Sequence, residues 1–165
     1  MSDFAGYYTA AKILASGDSV SHMYDEGWFV NRMHRFGIPD STLLMYVNPP
    51  PIAMVMVPFV WMEPIVAKSV WNSVSLAFVV IGFVFLRRLL NMPHAAFGTA
   101  LVFALLACSL PFLRNLQRGQ LYLMLLVVLT LFVQGYFHKE PLIASFSLSL
   151  LLSLKFFGWM FLLLF

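Results

Sequence analysis

The sequence has few charged residues. Only 10% of its 165 residues are Asp, Glu, Lys or Arg, whereas 61% are hydrophobic and 16% are aromatic. Soluble domains carry about 25% charged and about 45–50% apolar residues. A soluble globular enzyme is disfavoured because so few polar groups could not cover its surface. A disordered segment is also disfavoured, because such segments are more polar than this chain. The composition predicts an integral membrane protein.

Cysteine and motifs for metals or cofactors are also scarce. The single cysteine, Cys108, excludes an intrachain disulfide and hence a disulfide-stapled secreted domain. There is no Gly-rich phosphate loop and no CxxC pair, and the four histidines lack metal-ligand spacing. The sequence also lacks the basic stripe that would indicate a nucleic-acid-binding surface. We therefore predict no metal ligands, no cofactor and no nucleic-acid partner, and leave metal dependence open.

The few charges divide the chain into two regions. Residues 1–48 carry five acidic and three basic side chains, whereas residues 49–165 carry two acidic and seven basic ones. The first region is mixed in composition and the second is almost continuously apolar. The N-terminus has no basic segment followed by an apolar stretch, so we expect no signal peptide and no leading transmembrane helix. Residues 1–48 are predicted to form an extracytoplasmic loop with juxtamembrane helices, and residues 49–165 a transmembrane helical region.

The N-terminal region contains two predicted helices. Residues 3–16 place apolar side chains at helical spacing, with Ser2 or Asp3 as N-cap and Gly17 as the stop. This helix is too short to span a bilayer and suits the membrane interface. A second helix is predicted around residues 25–36. The proline-rich segment 49–62 is also too short to span, and it is interpreted as interfacial or re-entrant.

The C-terminal region predicts an all-α, polytopic transmembrane bundle of about four spans. The predicted spans are Ile65–Leu86, Ala95–Leu113, Leu121–Phe137 and Leu142–Phe165, with a polar loop at Arg114–Gln120. The positive-inside rule places Arg87, Arg88 and Lys139 in the cytoplasm. The N-terminal loop and the Arg114–Gln120 loop then share the opposite face of the membrane.

Four charged residues are candidates for chemistry. Lys155 lies inside an apolar segment, where insertion of a lysine costs about 2.5–3.5 kcal/mol; it either snorkels to the interface or faces a cavity that receives an anion. Arg114 and Arg118 lie on the outer face, where they either contact solvent and lipid headgroups or bind a ligand. Asp3 fits a helix N-cap and also a general base, and the positive helix end is compatible with both roles.

A set of residues recurs along the chain in a recognisable order: Asp3-Phe4, Tyr7-Tyr8, Pro49-Pro50, Trp71, Asn115-Leu116-x-x-Gly119-Gln120 and Lys155. Together these stretches resemble the polytopic GT-C glycosyltransferases. The closest group is the bacterial mannosyltransferases that use polyprenyl-phosphate mannose. Two positions depart from the pattern: Val47-Asn48 replace an aromatic residue before Pro-Pro, and Gly158 replaces a proline that kinks the helix.

The resemblance implies transfer of a sugar, expected to be mannose, from a polyprenyl-phosphate donor to an acceptor hydroxyl with inversion. It implies that Asp3 is the base, that the acceptor is a glycolipid or glycan, and that the enzyme is multi-pass in the plasma (inner) membrane, with its site on the non-cytoplasmic face. From topology and charge we expect Arg114, Arg118, Gln120 and Lys155 to contact the donor, mainly at its phosphate.

The members of this family are longer, so the resemblance also implies a fragment cut at both ends that is inactive by itself. Two alternatives remain open from the residues. One is a small transporter or channel subunit, which would need polar residues in several spans. The other is a membrane assembly protein without chemistry, which would leave the outer-face arginines and Gln120 unexplained.

Overall fold

The computed structural model describes residues 2–38, 48–90, 98, 101, 104–106 and 108–155. These residues form helices and turns, and no strand occurs among them. The helices are α1 (Ser2–Ser16), α2 (Glu26–Arg35), α3 (Pro50–Met56), α4 (Pro64–Leu89), α5 (Leu110–Arg118), α6 (Tyr122–Phe137) and α7 (Pro141–Leu154), with 3-10 turns at Val20–His22 and Val57–Phe59. The all-α prediction is therefore confirmed for the described residues.

Helix α1 forms where the sequence predicted it, but it is not amphipathic. Nearly every residue from Phe4 to Ile13 is buried, and Tyr8 and Ala11 have no exposed surface. The helix packs on α2, α3, α4 and α5. Gly17, with φ +71°, ends the helix as expected. Asp3 lies inside the first turn rather than at the N-cap, so its side chain is available for contacts with other helices.

Helix α2 confirms the second prediction closely. Its N-cap is Asp25, whose carboxylate accepts a hydrogen bond from the Trp28 backbone N–H at 2.9 Å. Phe29 and Met33, four residues apart, form its buried face. An ion pair of 2.9 Å between Arg32 and Asp18 ties the helix to the preceding turn. Helix α2 and the turn before it therefore pack against α1.

One helix in the described part of the chain is long and apolar enough to cross a membrane by itself. It is α4, which has 26 residues and contains the predicted span Ile65–Leu86. Helices α5 and α6 meet the criterion only together, and they are bent by 115° at their junction. The predicted span Ala95–Leu113 is described only in part, and its last four residues, from Leu110, belong to α5. The number of four spans therefore stays a prediction.

Two boundary predictions were wrong. The Arg114–Gln120 segment is helical to Arg118, because Ser109, Pro111 and Gly119 give α5 its own start and stop. The predicted span Leu142–Phe165 is interrupted, since α7 ends at Leu154 and Lys155 is extended, with φ −148° and ψ 132°. This exit from the helix lets the ammonium group of Lys155 reach a polar partner instead of remaining in an apolar surface.

Helices α6 and α7 form a tight antiparallel hairpin that supports the turn before α6. A Cβ atom on Gly135 would lie 2.7 Å from the backbone nitrogen of Ala144, so only glycine allows this approach. Helix α4 packs on the other side of α6. The segment 49–62 forms α3 and a 3-10 turn, too short to span. The core is thus made where α1 and α3 meet the ends of α4, α6 and α7.

Candidate functional site

The turn between α5 and α6 is the geometric centre of the candidate site. Gly119 adopts the left-handed conformation, with φ +68° and ψ 41°. The backbone N–H of Gln120 donates to the Asn115 carbonyl at 3.0 Å, and that of Gly119 donates to the Leu116 carbonyl at 3.2 Å. This pair of bonds is a Schellman motif, the common glycine-dependent end of a helix. The Asn-Leu-x-x-Gly-Gln segment therefore has a direct structural role.

Side chains from two other helices fix this turn in place. The Trp71 indole, 2% exposed, donates to the Gly119 carbonyl at 3.2 Å. The Lys68 ammonium donates to the Gln117 carbonyl at 2.7 Å. On the α1 side, Phe4 packs so closely that a Cβ atom on Gly119 would lie 2.6 Å from the Phe4 Cβ. The turn is therefore held between α1 and α4.

The same packing joins Asp3 to Gln120. The Gln120 side-chain amide donates to the Asp3 carboxylate at 2.5 Å, although the two residues are 117 positions apart in the chain. Asp3 lies in the first turn of α1, where the partial positive charge of the helix end favours a carboxylate. Two residues predicted to belong to one site are thus in direct contact.

A cleft of about 560 Å³ opens beside the turn. Arg114, Asn115, Arg118, Gln120 and Tyr122 supply its polar wall, and the leucines and aromatic residues around them supply an apolar wall. Arg114 and Arg118 are four residues apart on α5 and therefore share one face. Both are exposed, and neither forms an ion pair with any residue that the structure describes. The cleft combines unneutralised positive charge with apolar surface.

Lys155 lies near the cleft, where it contacts Asn48 and Tyr122. Its ammonium donates to the Asn48 side-chain oxygen at 2.8 Å and lies 5.6 Å from the centroid of the Tyr122 ring. It also interacts electrostatically with Asp3. Tyr122 lines the cleft, so Lys155 reaches the same region from the end of α7. Neither neighbour was predicted, because Asn48 stands out in the sequence only as a departure from the family pattern and Tyr122 carries no motif signal.

The two tyrosines of α1 have different roles. Tyr7 is 3% exposed, and its pKa is raised, mainly by burial and then by Asp3 and Tyr122. Its phenol therefore stays protonated beside the site and can donate a hydrogen bond. Tyr8 instead donates from its hydroxyl to the Met62 carbonyl at 2.6 Å. We therefore assign Tyr8 to packing between α1 and the start of α4.

The carboxylates and histidines do not gather into a metal centre in the described segments, where no three His, Cys, Asp or Glu side chains meet. Of the predicted charged residues, Arg114 and Arg118 line the cleft, Asp3 contacts Gln120 of the cleft wall, and Lys155 lies beside Tyr122 of the same wall.

Residues 46–165, more than half of the chain, match the model of glycosyltransferase family 87. The chain belongs to glycosyltransferase family 87. Membership of this membrane-associated family implies a membrane glycosyltransferase. Neither curated proteins nor solved structures give a match to the chain.

The family 87 match divides the candidate site. Arg114, Asn115, Arg118, Gln120 and Lys155 lie inside the matched segment, whereas α1, with Asp3 and Tyr7, lies before it. The hydrogen bond from Gln120 to Asp3 connects the two parts. A role for Asp3 in a family 87 glycosyltransferase is therefore supported by this contact and not by the match.

Asn115 gives a prediction for this family 87 enzyme. It is 4% exposed, it lines the cleft, and its side-chain oxygen is buried without a hydrogen-bond partner among the described residues. Such an unpaired group costs about 1–3 kcal/mol. We expect Asn115→Leu in the full-length protein to leave the melting temperature in detergent unchanged or higher. We expect it to lower sugar transfer about tenfold or more, equivalent to about 1.4 kcal/mol or more.

The matched control for this prediction is Asn31→Leu, on the exposed surface of α2 and outside the cleft. It should change neither quantity. A lower melting temperature for Asn115→Leu with normal transfer would show that Asn115 serves folding alone. The two measurements together separate a substrate contact from a packing defect.

Proposed function

We propose that this glycosyltransferase transfers a sugar from a polyprenyl-phosphate donor to an acceptor hydroxyl with inversion. The proposed sugar is mannose. The observation that carries the proposal is the cleft beside the α5–α6 turn. Two arginines that form no ion pair with any described residue line it next to apolar side chains, which is the combination that a lipid phosphate requires. Gln120 lines the same cleft and contacts Asp3, so a carboxylate is one side chain away.

In the proposed step Asp3 takes the proton from the acceptor hydroxyl, whose oxygen attacks the anomeric carbon of the sugar. The bond between that carbon and the phosphate oxygen breaks, and its electron pair leaves with the polyprenyl phosphate. Arg114 and Arg118 would stabilise the charge that develops on the leaving phosphate through charge-assisted hydrogen bonds. Lys155 would add a third positive charge near Asp3 and Tyr122.

The proposal includes a membrane arrangement. We propose a multi-pass enzyme of about four or more spans in the plasma (inner) membrane. Its site lies on the non-cytoplasmic face, with Arg87 and Arg88 at the cytoplasmic end of α4. The acceptor would be a glycolipid or a glycan. Membership of a glycosyltransferase family favours this enzyme over the transporter and assembly alternatives.

The direct test of the donor uses the full-length protein in vesicles, with polyprenyl-phosphate mannose, polyprenyl-phosphate glucose and a nucleotide-linked mannose supplied separately. We expect transfer from a polyprenyl-phosphate donor alone, and a product whose anomeric configuration, read by NMR, is inverted. Transfer from the nucleotide donor would contradict the proposed donor class. A retained configuration would contradict the single displacement by the acceptor hydroxyl.

Removal of the cleft's positive charge tests how the donor is bound. We expect Arg114→Gln/Arg118→Gln to raise KM for the polyprenyl-phosphate donor about tenfold to a hundredfold, because hydrogen bonds to charged groups contribute about 1.5–3 kcal/mol. The control is Arg87→Gln/Arg88→Gln. It also removes two positive charges, but in the last turn of α4, whereas the α5–α6 turn contacts the first part of that helix. Equal effects of the two double variants would mean that the arginines act only through the general membrane charge.

A further inference from the structure

A second cleft lies between α1, the end of α2 and the start of α4, away from the α5–α6 turn. Its volume is about 470 Å³, and its wall includes Lys12, Phe36, Trp61, Glu63 and Ile65. One wall is fixed by the hydrogen bond from the Tyr8 hydroxyl to the Met62 carbonyl. None of these residues has a role in the proposed transfer, so the cleft is open to a separate assignment.

The position of this cleft along α4 is that of a membrane interface. Trp61, just before the helix, is 88% exposed, and Ile65 in its first turn is 70% exposed. Exposed tryptophan beside an apolar helix turn is typical of the boundary between headgroups and acyl chains. With α4 crossing the membrane, a ligand of this cleft would be a lipid whose headgroup enters it and whose chains follow Ile65.

The charges of the cleft define the headgroup. The ammonium of Lys12 lies 5.5 Å from the centroids of both the Tyr8 and Phe36 rings. Glu63 precedes α4 but forms no capping hydrogen bond with its side chain, so its carboxylate is available. Lys12 and Glu63 are both described, and no ion pair joins them. The cleft therefore presents one positive and one negative group that do not pair with each other.

We propose that this cleft binds a phospholipid with a phosphoethanolamine headgroup. Lys12 contacts the phosphate, Glu63 contacts the primary ammonium, and the exposed Trp61 ring adds an aromatic face for the same ammonium. A purely anionic headgroup would use Lys12 but would meet repulsion from Glu63. A trimethylated ammonium has no N–H to donate to Glu63.

The test measures which lipids stay bound to the full-length protein. The protein is reconstituted in vesicles with equal parts of phosphatidylethanolamine, phosphatidylglycerol and phosphatidylcholine, extracted, and analysed by native mass spectrometry. We expect phosphatidylethanolamine to be retained in excess. Glu63→Gln should lower the ratio of retained phosphatidylethanolamine to phosphatidylglycerol about tenfold. Lys12→Met, which keeps the apolar stem between the rings, should lower the retention of both lipids.

Matched controls are Glu26→Gln on α2 and Arg88→Gln at the far end of α4, both exposed and outside the cleft. They should leave the lipid ratio at the wild-type value. Retention of phosphatidylglycerol at least equal to that of phosphatidylethanolamine would overturn the proposal, and so would equal ratios for Glu63→Gln and Glu26→Gln. Displacement of the lipid by an equal concentration of free phosphoethanolamine would also overturn it, because the acyl chains would then contribute nothing.

Discussion

Asp3→Asn is expected to reduce sugar transfer by the full-length protein about 10²- to 10⁴-fold, which is the usual contribution of a general base. The side-chain amide of asparagine can still accept the hydrogen bond that Gln120 donates to Asp3. The fold should therefore be preserved, while the group that takes the acceptor's proton is lost. The measurements are kcat for transfer at saturating donor and the melting temperature in detergent, which should not change.

The matched control for Asp3 is Asp25→Asn. Asp25 is also an aspartate at the start of a helix, where its carboxylate accepts from the Trp28 backbone N–H. Asparagine is an equally good N-cap, so this variant should retain both stability and transfer. If Asp3→Asn were as active as Asp25→Asn, the base would have to be another residue, and the contact between Asp3 and Gln120 would be structural.

Gly119→Ala is expected to destabilise the protein by about 2–6 kcal/mol. A left-handed backbone costs a non-glycine residue about 1–3 kcal/mol, and overpacking adds about 1–3 kcal/mol. Both costs apply, because φ is +68° and the new methyl group would lie 2.6 Å from the Phe4 Cβ. The displaced turn would also separate Gln120 from Asp3. The measurements are the melting temperature and the transfer rate, and both should fall.

Gly17→Ala separates the two costs. Gly17 has φ +71°, but a methyl group there would meet nothing within 4 Å. It therefore carries the backbone cost without the contact with Phe4. We expect Gly17→Ala to lower the melting temperature less than Gly119→Ala does and to leave transfer unchanged. Equal effects would mean that α1 moves away from the turn at little cost.

The helices that could be predicted from the sequence were those with local start and stop signals. The helix predicted around residues 25–36 forms as α2, which Asp25 caps and whose buried face is Phe29 and Met33. The sequence divides residues 110–118 between a predicted span and a predicted polar loop, whereas the structure makes them one helix. The signals that define α5 were present in Ser109 and Gly119, but a short helix joined to a long apolar segment has no hydrophobic period of its own.

The burial of α1 could not be predicted, because it depends on contacts with distant parts of the chain. The sequence shows an aromatic stripe, which is compatible with a membrane surface and equally with a protein interior. The structure surrounds Phe4 and Tyr8 with protein on all sides. Candidate site residues were recognised by their unusual charge or by resemblance. Their neighbours, Asn48 and Tyr122, depend on tertiary packing and carry no local signal.

The hydrogen bonds from Gln120 to Asp3 and from Lys155 to Asn48 also constrain biosynthesis. They join residues 117 and 107 positions apart, so each needs a late-synthesised residue to meet one made much earlier. Closing such long loops is slow relative to forming local helices. While the ribosome is still adding the residues before Lys155, the nascent chain contains α1, Arg114 and Arg118 but lacks Lys155, the last residue of the proposed site. We therefore expect the two hydrogen bonds, and with them the proposed site, to be complete only after insertion has passed Lys155.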